Sequence, residues 1–143
     1  MRRLLIAGAG LFVAATAVLA QTDVIAERKA LMRGNGAATR VGTQMIRGEV
    51  PFDVAKAREV FSGIVAGMDR FPNLFTEGTQ TGDTRAAPTI WTENAGFRAA
   101  AAKIVEDAKQ AAASTTDLAS FQANFQRVGA NCNSCHEKYR TNR

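Results

Sequence analysis

The chain has 143 residues, 46% of them hydrophobic and 22% charged, with a formal net charge of +5. That length suits one domain and is short for two separate cores. The basic residues form no stripe interleaved with aromatics, so nothing supports a nucleic-acid role.

At the N-terminus, Arg2 and Arg3 precede an apolar run from Leu4 to Val18, and Val18 and Ala20 are the small residues a signal peptidase reads. Cleavage is expected after Ala20. The run falls slightly short of the ~18 apolar residues that suggest a spanning helix, and its glycines and alanines favour removal over retention as an anchor. A twin-arginine signal normally has a longer polar head. Residues 1–20 are thus expected to be a signal peptide and 21–143 the mature domain, exported and without stable membrane insertion after cleavage. The leader takes two of 18 basic residues and none of 13 acidic ones, leaving 16 − 13 = +3.

Four segments of the mature chain show helical periodicity, and none shows a convincing strand pattern. In the first, Val24, Leu31, Gly34, Ala38, Val41 and Met45 form the expected core stripe, with Asp23 as N-cap and an end near Gly48. Gly34 and Gly36 are poor helix formers, which suggests a close approach to the backbone there. The second segment opens after Pro51 with Asp53 as N-cap, places Val54, Ala57, Phe61, Ile64 and Met68 on one face, and stops at Phe71 and Pro72. A long Gly- and Thr-rich stretch, 73–88, follows, of the kind usually functional or wrapped over something. Trp91 leads into the third helix, with Phe97, Ala101, Ile104, Ala108 and Ala111 inward. The fourth has Asp117 as N-cap and Leu118, Phe121, Phe125, Val128, Cys132, Cys135 and Tyr139 on one face. An antiparallel four-helix bundle follows. Its many small inward residues fit either closely packed helices or room for a bulky guest.

Cys132, Cys135 and His136 are all the cysteines and the only histidine of the chain. Cys-x-x-Cys-His attaches c-type haem: two thiols bond the vinyl groups and the imidazole holds the iron. At i, i+3 and i+4 on a helix, all three project to one side. A thioredoxin-like pair belongs where a helix begins after a strand, and this one comes late in a helix. A structural zinc site needs four ligands, and only three are on offer. A disulfide here would close too small a loop to stabilise much.

With "RKALM", "GEVPFD", "LF", "PTIW" and "CNSCHEKYR" occurring in that order, the sequence resembles the class II cytochromes c, the cytochrome c-prime and c-556 group. Class I cytochromes carry the motif near the mature N-terminus, whereas only seven residues follow His136 here. The resemblance implies a periplasmic four-helix bundle with one covalent haem c at one end, His136 as proximal ligand and Met32 facing the opposite side of the iron. Ile25, Arg28 and Met32 form a second stripe beside the core stripe, as a helix flanking a flat cofactor needs. Met32 can also be read as a gap-filling core residue. The resemblance further puts Arg28 near a haem propionate, Arg140 near the proximal histidine and Asp83 in the haem-contact region. Phe75 and Trp91 fit haem-edge or core positions equally.

Two functions follow from the resemblance. A ligating Met32 makes a low-spin one-electron carrier of the c-556 type, meeting redox partner proteins transiently. A merely blocking Met32 makes a five-coordinate c-prime type that binds nitric oxide or carbon monoxide. The sequence favours the carrier, since a thioether is a competent axial ligand. An enzyme is not expected, because no distal histidine exists to move protons. Whether the first two helices form a homodimer is left open.

Overall fold

A computed structural model describes the backbone of residues 9–142 and the side chains of residues 23–142. The expected signal peptide, 1–20, and its cleavage site therefore lie outside the fully described residues. No helix among the described residues is long and apolar enough to cross a membrane.

The first helix, α1 (Ala9–Ile46), runs uninterrupted through Asp23, which is not an N-cap as expected. The reason is local: between residues 11 and 33 there is no Gly or Pro to stop a helix rich in Ala, Leu and Arg. It ends as expected. Gly48 adopts φ 70°, its N–H donates to Met45 O at 3.2 Å, and Glu49 N–H donates to Gln44 O at 2.9 Å. This paired closure is a Schellman motif, which only glycine enters without strain.

The inward face of α1 differs from the expected core stripe. Gly34 and Val41 are exposed, while Val24, Leu31 and Ala38 are half-buried; of that set only Met45 is buried. The buried positions are instead Ile25, Arg28, Gly42 and Met45, with Met32 and Asn35 half-buried beside them. Ile25, Arg28 and Met32 are the second stripe read in the sequence, while polar Asn35 and side-chain-free Gly42 conceal the rest of this face from an apolar-periodicity reading. The close approach expected at Gly34 and Gly36 falls at Gly42, where a Cβ would collide with the Phe125 ring.

Helix α2 (Val54–Arg70) is capped by Asp53, whose Oδ1 accepts from Lys56 N at 2.8 Å. It buries Ala57, Val60, Phe61, Ile64 and Met68, whereas Val54, expected on the same face, is exposed in the first turn; the helix passes at Pro72 into a 3-10 turn, Phe71–Leu74. The one-turn α3 (Thr89–Thr92) leads into α4 (Asn94–Ser114), whose Phe97, Ala101, Ile104, Ala108 and Ala111 are buried as expected. Helix α5 (Leu118–Tyr139) starts from a capping box between Asp117 and Ser120, and its Leu118 is exposed.

The four long helices alternate in direction. The alanines of α4 allow close packing on α2, and this pair is the most intimate in the bundle, whereas α1 and α5 touch over only a few residues. Phe52, Phe61, Phe121 and Phe125 fill one end with tilted and edge contacts. The end where the middle turns of α1 face the late turns of α5 is built differently.

Candidate cofactor site

A cavity of about 660 Å³ opens between α1 and α5 at that second end. This lies within the range of cofactor sites, roughly 300–1,000 Å³. Ile64 and Met68 of α2, Phe97 and Ile104 of α4, and Phe71, Phe75 and Ile90 of the connections make apolar walls. Cys132, Cys135 and His136 line it from α5, and Ile25, Arg28 and Met32 from α1. Two thiols, an imidazole and a thioether thus face one largely apolar space, a donor set that fits a covalently attached haem.

The protonation states suit that use. Burial, with the nearby cations Arg140 and Arg85 adding to it, holds the His136 imidazole below its ordinary value, so the ring is neutral at pH 7. A neutral ring has a free lone pair for a metal. Burial pushes both thiols up, and at Cys135 the neighbouring Cys132 adds to the effect. Neither is the activated thiolate of a dithiol redox site, whose pKa is lowered.

Arg28 lines the cavity and is 4% exposed. Its Nε donates to Leu74 O at 3.0 Å, its Nη2 to the same carbonyl at 2.6 Å and also to Thr79 Oγ1, and its Nη1 to Thr79 O at 2.9 Å. The guanidinium lies 4.0 Å from the centroid of Phe75 and 5.6 Å from that of Trp91. Burial lowers its pKa to about 10, and it remains charged at pH 7.

Arg140 caps α5, donating its N–H to His136 O at 3.1 Å, and also lines the cavity. Asp83 stands outside the lining; it is paired at 2.5 Å with Lys29, which does line it. Phe75 is on the wall, whereas Trp91 packs behind it with ring centroids 5.7 Å apart and donates Nε1–H to Thr76 O at 3.2 Å.

Three cations went unnoticed in the sequence: Lys29, Arg33 and Arg85. The first two were accessible to a helical-wheel reading, lying beside Arg28 and Met32. Arg85 carries no sequence signal. It reaches the cavity because the 75–88 segment is bridged to the C-terminal tail at Ala86 and Arg140, with Ala87 N–H donating to Tyr139 O at 3.0 Å and Thr141 N–H to Arg85 O at 2.9 Å. No carboxylate lines the cavity among the described residues.

A four-helix bundle whose end cavity gathers Cys-x-x-Cys-His and a methionine is a c-type haem protein. The sequence matches the family Cytochrome C' over residues 23–140. It is 40% identical over 123 residues to cytochrome c' of Rhodopseudomonas palustris, covering 85% of this chain and 84% of that protein. To cytochrome c-556 of Agrobacterium fabrum it is 34% identical over 117 residues, covering 81% and 80%. The solved structure of cytochrome c' from Rhodopseudomonas palustris superposes with a TM-score of 0.81 and 38% identity over 85% of this chain and 98% of that one. The chain belongs to the class II cytochrome c family, whose cofactor is covalently attached haem c.

Proposed function

We propose that this chain is a periplasmic one-electron carrier and not an enzyme, with haem c held through thioethers at Cys132 and Cys135, His136 as one axial ligand and Met32 as the other. What supports this reading above all is that Met32 and His136 line one cavity from the two helices that scarcely touch. Bound haem supplies a one-electron ferric/ferrous couple. The neutral His136 imidazole offers a lone pair without first losing a proton, and the Met32 thioether favours the ferrous side, raising the potential. Ile64, Met68, Phe71, Phe75 and Phe97 keep water from the interior, while Arg33, Arg85 and Arg140 supply cations for carboxylates at the rim. Partners are other redox proteins, met transiently.

Ferric and ferrous absorption spectra of the holoprotein, with and without carbon monoxide, test this reading. The unmodified protein is expected to be low-spin and to resist the gas. Met32→Ala should move it toward high spin, lower the potential and admit carbon monoxide. An unmodified protein that is already high-spin and binds the gas readily would refute Met32 ligation and make gas binding the leading function, with Met32 a steric lid.

A further inference from the structure

The two walls that carry Met32 and His136 are not held together by direct α1–α5 packing, which is sparse. A second route joins them. Arg28, one helical turn before Met32, grips the carbonyls of Leu74 and Thr79 in the segment after α2. That segment continues to Ala86 and Ala87, which are bridged to Arg140 and Tyr139 at the end of α5, within one turn of His136. Arg140 N–H donates back to His136 O at 3.1 Å, closing the path onto the residue that carries the imidazole.

The grip is built as an anchor. Arg28 is buried, three of its nitrogens donate, and Phe75 and Trp91 lie against its guanidinium. Trp91 N–H to Thr76 O at 3.2 Å and Thr79 Oγ1 to Thr76 O at 2.6 Å fix the shape of the same loop. Charge-assisted bonds to carbonyls in a partly dry site are the stronger class of hydrogen bond, and a forked donor fixes direction as well as distance. A merely solvated arginine would not be arranged in this way.

We propose that Arg28 is a positioning residue: through the 74–87 strap it sets the spacing of the α1 wall bearing Met32 against the α5 turn bearing His136. The role extends the axial-ligand reading above and gives Arg28 a function distinct from pairing with a propionate. Loosening the strap lets the two walls move apart, which weakens the hold of the Met32 side on the iron and exposes the backbone hydrogen bonds of the bridge.

The test uses ferric and ferrous holoprotein with Arg28→Gln and, as a milder change that keeps the charge, Thr79→Val. Hydrogen–deuterium exchange of the segments 84–90 and 139–142 reads the strap, and the carbon monoxide association rate reads the iron's open face. Arg28→Gln is expected to speed exchange in both segments at least about tenfold, the effect of losing even one of its charge-assisted hydrogen bonds, and to speed gas association by a similar factor. Thr79→Val should move both readouts the same way by a smaller factor. Unchanged exchange in both segments for Arg28→Gln would overturn the proposal, as would faster gas binding with unchanged exchange, the signature of a charge effect alone. If Arg28→Gln fails to fold, Thr79→Val decides by the same criteria. If the unmodified protein binds carbon monoxide freely, Met32 ligation fails, but the exchange measurement still judges the strap.

Discussion

Asp107 on α4 is 8% exposed and accepts hydrogen bonds from Lys103 Nζ at 2.8 Å and from Asn131 Nδ2 of α5 at 2.5 Å. The Lys103 bond, then the Asn131 bond, hold its carboxyl below the usual carboxylate value against the opposing effect of burial. Lys103 is 63% exposed at its side chain, so that pair contributes about 0–1 kcal/mol. The bond to Asn131 crosses between helices, and removing the carboxylate strands a half-buried amide at a cost of roughly 1–3 kcal/mol. Asp107→Ala should therefore lose about 2 kcal/mol, and Lys103→Ala no more than about 0.5 kcal/mol. For a domain of this size the first loss lowers Tm by roughly 6–12 °C. The sign of the pH dependence follows from the lowered folded-state value. The carboxylate's contribution is complete above the unfolded value, about 3.9, and is lost as pH falls through the folded one. Asp107→Asn, which can still accept from Asn131, should lack that acid-side loss. Thermal unfolding of the holoprotein followed by circular dichroism, at neutral pH and at about pH 3.5, measures each effect. Equal losses for Asp107→Ala and Lys103→Ala would refute the interhelix bond as the stabilising element.

Replacing both Cys132 and Cys135 with alanine should make the haem extractable by acid acetone, whereas the unmodified protein should retain it; pigment lost from the unmodified protein would exclude thioether attachment. Two glycines of α1 and its cap should respond in opposite directions in denaturant unfolding. Gly34→Ala, exposed and with nothing within 4 Å of the new Cβ, should raise stability by up to about 1 kcal/mol, while Gly48→Ala at φ 70° should lower it by roughly 1–2 kcal/mol.

Much of this fold and site is legible in the residues because local rules and packing agree. Asp53 and Asp117 begin helices where a side-chain oxygen can take the first free N–H groups, and Gly48 ends one where a left-handed residue is required. The stripes of α2 and α4, Val54 apart, are inward because each packs on a conventional apolar core, and Cys132, Cys135 and His136 fall together by helical spacing alone. The second stripe of α1, Ile25, Arg28 and Met32, does line the cavity, and only its core stripe is misread, for a physical reason. The inward face of the helix borders a cavity as well as a core, so it carries Arg28, Met32 and Asn35 where an ordinary core would carry Leu or Phe. Arg85 and the buried engagement of Arg28 are set by a loop returning to the C-terminal tail, a contact between residues more than fifty positions apart that no periodicity encodes.

The location of the cavity follows from the distribution of large side chains. At the far end, Phe52, Phe61, Phe121 and Phe125 bring the α2 and α5 faces together, and Gly42 lets α1 close on the Phe125 ring. Toward the other end, α1 lines the cavity with polar or small residues such as Asn35, Gly36 and Thr39 beside Met32, and α5 with Cys132, Asn133, Cys135 and His136. Ile25 and Tyr139 are the bulky exceptions, one on each helix. The helices can stay apart there because α2 and α4 pack closely behind the cavity, with buried alanines at Ala57, Ala101, Ala108 and Ala111. The alanines of α4 thus belong to the close packing on α2 and not to the cavity wall, which none of Gly34, Ala38, Ala100, Ala101 and Ala108 lines; the cavity lies instead where α1 and α5 scarcely touch.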